Sequence, residues 1–187
     1  MVTRLSPLGG AANLVWKAYL RLLERYPWRA QAANTCVIMG CGDAISQLLI
    51  ERRGMREYDW RRGMRFMLVG LAMAGPGMHL WYSSLDRLVK GPKLAVAVRK
   101  TLLDQCFFLP FYITCFTSSM SLLRKESLPQ AAQRLASDFK PILLTSYGIW
   151  PPVMFANFYS LPGQHRVLAI NLVGLVWNTY LSWKAEQ

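Results

Sequence analysis

The sequence predicts an all-α, polytopic membrane bundle, with four to five apolar helices behind an N-terminal amphipathic one. Three observations carry this. Apolar residues make up 53% of the 187 residues and charged residues only 17%, against a usual charged share of about 25%. Residues 66–85, 105–123, 141–165 and 167–183 hold no full charge, with histidine counted as neutral, and Ala30 to Ile50 holds one, Asp43. Crossing about 30 Å of hydrocarbon takes about 20 mostly apolar residues. The cations that give a net charge of +12 sit between these stretches, the pattern of spans flanked by headgroup-contacting residues. Such a composition excludes intrinsic disorder. A nucleic-acid surface would gather its basic residues into a patch or an arm, so no direct nucleic-acid binding is expected. The competing reading is a soluble helical domain with very apolar core helices.

The chain reads as one membrane domain over residues 1–187. Residues 14–26 form an amphipathic helix. Leu14, Val15, Ala18, Tyr19, Leu22 and Leu23 make one stripe, and Lys17, Arg21 and Arg25 share another face. No acid precedes Glu24, and residues 1–13 hold no apolar core of a secretory signal. This suits a mitochondrial address, an interfacial helix or a helix beside the bundle. Pro27 ends it, because the residue before proline is pushed out of the helical region.

The first apolar segment spans residues 30–50. Ala32, Cys36, Gly40 and Ala44 recur every four residues, and small side chains at that spacing let a neighbour approach closely in lipid. Asp43 and Gln47 project beside this seam. A charged loop, Glu51 to Arg65, leads to the second segment, 66–85, where Gly75 and Pro76 should kink or loosen the helix. His79, Tyr82 and Asp86 follow on one face. A helix beginning near Leu94 runs into the third segment, 105–123, with Asp104 and Gln105 at its entry and Pro110 in its first turns. Glu126 to Lys140 reads as a polar connection, helical over Gln130 to Phe139. The fourth segment, 141–159, is expected to be interrupted at Pro151 and Pro152. The fifth, 167–183, carries Asn171 and Asn178 on one face. The cations divide evenly between the two sides, so they set no orientation.

Charged and amide side chains inside such segments are expensive and mark either a hydrated path or interhelical pairing. The candidates are Asp43, Gln47, His79, Asp86, Asp104, Gln105, Asn157 and Arg166. If they converge on one water-filled path, they line a pore; if they satisfy one another, they fix packing. Cys36, Cys41, Cys106 and Cys115 form no C-x-x-C pair. They read as small buried side chains, with a redox-sensitive gate as the alternative. No metal-ligand spacing, cofactor motif, H-E-x-x-H, G-x-S-x-G or P-loop is present, so no metal, cofactor or catalysis is expected.

Short motifs recur in an ordered series. Trp16-x-x-Tyr19-Leu20 and Tyr26-Pro27-Trp28 come first. Gly42-Asp43-x-Ile45-Ser46-Gln47, Glu51-Arg52-Arg53-Gly54 and Tyr58-Asp59 follow. Then come Gly75-Pro76-x-x-His79-x-Trp81-Tyr82-x-x-Leu85-Asp86, Asp104-Gln105 with Pro110, and Trp150-Pro151. Asn157-Phe158, Pro162, Arg166-Val167 and Trp177-Asn178-x-Tyr180-Leu181-Ser182-Trp183-Lys184 complete it. In this order and spacing the chain resembles the Mpv17/PMP22 family over nearly its whole length. The Glu-Arg-Arg-Gly loop and the ending through Ala185 look most like its founding mitochondrial member. The resemblance implies about four spans in the mitochondrial inner membrane, or alternatively the peroxisomal membrane. It also implies a non-selective channel for small solutes that modulates membrane potential and supports mitochondrial DNA and deoxynucleotide homeostasis. The partners implied are the lipid bilayer, small solutes and a second copy of the chain. Met154 stands where the family commonly has glutamine. A non-conducting scaffold or assembly factor and a small-metabolite carrier are the alternatives. An enclosed mid-membrane site would favour the carrier.

Overall fold

The computed structural model describes Arg21 and residues 25–160 and 163–186, without the side chains of residues 158 and 163–169. The expected amphipathic helix, 14–26, lies almost wholly outside the described residues, as does the side chain of Arg166. The described residues form helices and short connections, with no strand.

Five rods follow one another. The first is α1 (Pro27–Ile45), continued by a π-helical turn, Ser46–Ile50. Pro27 occupies the first turn, where a missing N–H leaves nothing unsatisfied. The second comprises α2 (Trp60–Val69), a π turn Gly70–Ala74 and α3 (Gly75–Leu88). Asp59 caps it, its Oδ1 accepting the Arg61 and Arg62 amides at 3.0 and 3.1 Å. The third comprises α4 (Lys93–Leu103), a π turn Asp104–Phe108 and α5 (Leu109–Leu123). The fourth is α6 (Leu128–Tyr159) and the fifth α7 (Gly163–Ala185). At the start of α6 the Ser127 amide donates to Gln130 Oε1 at 2.8 Å, half of a capping box.

Two of these rods, Pro27–Ile50 and Lys93–Leu123, are long and apolar enough to cross a membrane. The surface agrees with that solvent. Leu80, Leu88, Phe107, Phe111, Leu122 and Val176 are each at least 65% exposed, while Asp43, Ser46, Gln47, Arg62, Ser146 and Ser182 are buried almost completely. Large apolar side chains on the outside suit lipid, and the buried polar ones sit beside an apolar core.

Proline shapes two of the rods. Pro76 and Pro110 cannot donate to the carbonyls four residues earlier, on Ala72 and Cys106. Both carbonyls lie inside π turns, Gly70–Ala74 and Asp104–Phe108. The wider turn absorbs the missing hydrogen bond and the ring. Gly75 and Pro76 therefore widen the second rod without ending it. Pro151 and Pro152 correct the sequence expectation. The helix runs unbroken from Leu128 to Tyr159 through Pro141, Pro151 and Pro152, and so merges the expected polar connection with the fourth apolar segment. Helices packed against α6 hold it straight through the lost bonds.

In the packing, α1 is central, against the second rod on one side and α7 on the other. The third rod lies along α6, which also meets α7, and α5 touches α2. Met39, Phe66, Phe116, Met120, Ile142 and Leu181 fill the middle. Phe66 and Phe116 pack with ring centroids 5.9 Å apart, and Phe116 stacks on Tyr112 at 6.3 Å.

The small-residue seam joins the first two rods, but its tightest point is not Gly40. A Cβ on Gly75 would lie 2.4 Å from Ala32 Cα, and one on Gly70 would lie 3.0 Å from Cys36 Cα. At Gly40 the same atom would meet only the Met67 side chain, at 2.7 Å. The π turn between Gly70 and Gly75 shifts the register so that these two glycines meet Cys36 and Ala32. Gly42 serves the opposite side, where a Cβ would come within 3.0 Å of Asn178 and Thr179 backbone atoms.

Candidate functional site

The polar residues inside the bundle separate into two centres. One is an ion cluster at the end formed by the close of the first rod, the start of α2 and the end of α7. Close approach at Gly42 brings Ser182 of α7 to Asp43, and its Oγ donates to Asp43 Oδ1 at 2.6 Å. Gln47, one turn along α1, donates from Nε2 to Asp43 Oδ2 at 2.7 Å. Arg62 enters from the first turn of α2 and places Nε 2.7 Å from Asp43 Oδ1. Its two terminal nitrogens grip Glu51, Nη1 donating to Oε2 at 2.9 Å and Nη2 to Oε1 at 2.6 Å. The same Nη2 reaches Ser182 Oγ at 2.7 Å. Gln47 also exchanges bonds with the Asp59 backbone, accepting its N–H at 2.8 Å and donating to its carbonyl at 3.1 Å.

Asp43 is 0% and Arg62 1% exposed, and a charge buried alone would be prohibitive. Arg53 Nε, 2.9 Å from Glu51 Oε2, brings the cluster to two cations and two carboxylates. The hydrogen bonds from Arg62 outweigh burial and hold the Glu51 carboxyl below its ordinary value. Burial acts against the charge on Arg62, but Glu51 and Asp43 together raise its pKa above normal. Burial and the neighbouring Asp43 charge raise the Tyr58 phenol. Gly63 leaves room for this arrangement, since a Cβ there would sit 2.8 Å from Tyr58 Oη and 3.3 Å from Asp43 Oδ2.

The other centre is a cavity of about 420 Å³ toward the opposite end of the bundle, within the range of ligand sites. His79, Asp86, Asp104, Gln105 and Asn157 all line it, together with Asn171 and Asn178. Asp86 stands where the cavity reaches the surface, its side chain 70% exposed and paired with Lys100. Deeper in, Asp104 Oδ1 accepts from Trp81 Nε1 at 3.0 Å and Oδ2 from Gln105 Nε2 at 2.8 Å. Both residues belong to the π turn that precedes Pro110, which turns two successive polar side chains inward. Asn171 accepts from Asn34 Nδ2 at 3.0 Å, tying α7 to α1. Aromatic rings complete the wall, with Trp150 and Trp177 edge to face at 6.0 Å. Met154 lines the cavity with a thioether.

Asp43 and Gln47 are thus separated from the other candidates. They do not line the cavity, because Arg62, Ser182 and the Asp59 backbone take up their polar atoms. Sequence reasoning missed Arg62 and Ser182 as partners of Asp43, and Glu51 as a partner of Arg62. Glu51 and Ser182 stood in the recognised motifs, but Arg62 was one of six cations in a loop. Of the cysteines, Cys41 and Cys106 are exposed and Cys36 and Cys115 half-buried, all as free thiols. Among the described residues no group of three His, Cys, Asp or Glu side chains could hold a metal ion.

Comparison with known proteins places this architecture. The family model described as Mpv17 / PMP22 family matches residues 121–182. Mitochondrial inner membrane protein Mpv17 of Xenopus laevis is 42% identical over 173 residues, covering 92% of this chain and 98% of that one. The Homo sapiens protein of the same name is 38% identical over the same shares. Protein sym1 of Aspergillus oryzae is 32% identical over 90% of this chain and 96% of its own. No solved structure matches the chain. Identity of this level over nearly the full length of both chains, on a helical bundle with two helices able to cross a membrane, means that the chain belongs to the Mpv17/PMP22 family and is a membrane protein of the mitochondrial inner membrane.

Proposed function

We propose that the protein is a channel for small solutes, with the cavity as its vestibule and the Asp43–Arg62 cluster as its closed end. The observation that carries this is the convergence of five intramembrane polar candidates, His79, Asp86, Asp104, Gln105 and Asn157, on one cavity. Buried polar groups in lipid ordinarily pair off or line a hydrated space. Met39, Phe66 and Phe116, each at most 2% exposed, belong to the apolar core, and in this reading that core closes the path. Opening would dissipate membrane potential, and the solute exchange would support mitochondrial DNA upkeep and deoxynucleotide supply.

The mutually satisfied Asp43 cluster favours a second reading, a non-conducting membrane scaffold. Purified protein in liposomes separates the two. Solute release and single-channel steps that exceed those of empty liposomes support the channel. Tight liposomes holding correctly inserted protein across the full range of applied voltage leave the scaffold.

A further inference from the structure

The lining of the cavity is chemically one-sided. Among the described residues that form it there is no lysine or arginine, while Asp86 and Asp104 both belong to it. The Lys100 ammonium goes to Asp86. Asp104, 4% exposed, is held by Trp81, Tyr82 and Gln105, all neutral donors. Its negative charge is therefore oriented by them and not cancelled by them.

Three more amide oxygens belong to residues of the same lining. Gln105 Oε1, Asn157 Oδ1 and Asn178 Oδ1 are buried without a hydrogen-bond partner, on side chains that line the cavity and are 6%, 3% and 7% exposed. For two of them the oxygen is identified by what the nitrogen does. Gln105 Nε2 donates to Asp104 and Asn178 Nδ2 to the Gly174 carbonyl at 2.7 Å. Unmet buried acceptors are costly, so each is expected to find a donor. The full charges of the described lining are both negative, which calls for a cation. An anion would meet the Asp104 carboxylate with no lysine or arginine of that lining to offset it. The aromatic faces of Tyr112, Trp150 and Trp177 suit the apolar body of such a solute and attract its charge.

We propose that the cavity binds a small organic solute bearing a protonated primary amine, its ammonium held by the Asp104 carboxylate among Gln105, Asn157 and Asn178 of the same lining. The inference deepens the channel reading and rests on it for its biological role, while the binding itself is measured without transport. The test is calorimetric titration of the full-length protein in dodecyl maltoside with phenethylamine, N-acetylphenethylamine and a nucleoside monophosphate. Empty micelles are titrated in parallel to remove partitioning. Saturable binding of phenethylamine, with the other two binding weakly or not at all, is the expected result. Asp104→Asn, which keeps the size of the side chain, should weaken phenethylamine by about tenfold or more, as loss of a charge-assisted bond does. Asn157→Leu provides a second reading should the first variant unfold, and Asp138→Asn, outside the cavity, should bind normally. A nucleoside monophosphate that binds more tightly than the amine would overturn the proposal. So would amine binding that is unchanged in both cavity variants at wild-type Tm, or no binding above that of micelles. Amine binding in a protein that conducts nothing removes the channel and leaves this site, and conduction without amine binding does the reverse.

Discussion

Removing the cation of the buried cluster should be the most damaging single change at that end of the bundle. Arg62→Met keeps the length and apolar stem of the side chain. It strips Asp43 of the guanidinium 2.7 Å away and Glu51 of two hydrogen bonds. Deleting one partner of a buried ion pair costs about 3–5 kcal/mol. Here the lower end applies, for two reasons. Ser182 and Gln47 still donate to Asp43 at 2.6 and 2.7 Å. Glu51 keeps Arg53, and its side chain is 16% exposed. The expected loss is about 3 kcal/mol. Asp43→Asn alone should cost less, because Arg62 retains Glu51 and the asparagine keeps an oxygen for Ser182. The double variant should then fall short of the summed losses by about 1–3 kcal/mol, as neighbours in one network do. Unfolding in mixed micelles, followed by tryptophan fluorescence, gives all four stabilities. Losses that add within about 0.5 kcal/mol would refute the network, whatever the distances between its atoms.

Other expectations follow from the same contacts. The ionised Glu51 carboxyl, held below its ordinary 4.5 by Arg62, contributes stability above that pH that is lost as pH falls through its folded value. Wild-type Tm should therefore drop between roughly pH 5 and pH 3, and Glu51→Gln should flatten that slope; equal slopes would remove Glu51 from the cluster. Gly75→Ala should cost about 1–3 kcal/mol, since its new methyl meets the Ala32 backbone, and Gly40→Ala should cost less because the Met67 side chain can move. The reverse order in thermal unfolding would contradict the seam. Asn34→Leu breaks the 3.0 Å bond to Asn171 and should cost about 1 kcal/mol, with no gain in stability from the added apolar surface.

Charge spacing alone made the rods legible, because hydrocarbon tolerates few charges and each uncharged stretch had to be a helix. What it could not show was how proline would be handled. Pro151 and Pro152 looked like a break because each removes a donor, yet α6 passes through both. The outcome depends on packing by helices distant in sequence. Asp43 was recognisable as a buried acid, and its partner was not, since Arg62 shares its loop with Arg52, Arg53, Arg56, Arg61 and Arg65. Helical phase from the Asp59 cap points Arg62 inward, whereas residues 51–65 read in sequence as one charged loop, and α2 in fact begins at Trp60. The cavity residues were legible as polar side chains in apolar surroundings. Their separation from Asp43 was not, because it depends on the tertiary contacts of Gly42 and Ser182.

The first rod links the two centres. Gln31, Thr35 and Ile38 of α1 line the cavity, and Asp43 and, in the π turn that continues the helix, Gln47 lie further along the same rod. Met39, 0% exposed, packs in the apolar core with Phe66 and Phe116. In the channel reading, a continuous path through one copy must part this core and loosen the hold of Arg62 on Asp43. The contacts that resist such a change are the backbone approaches at Gly75, Gly70 and Gly42, where helices meet with no side chain between them. The contact that resists least is Gly40 against Met67, where a flexible thioether fills the gap. The cluster and this contact both involve α1 and α2, whose first turn carries Arg62. In the channel reading, movement of α2 along α1 would loosen them together, whereas movement of α7 would first have to part Gly42 from the Asn178 and Thr179 backbone.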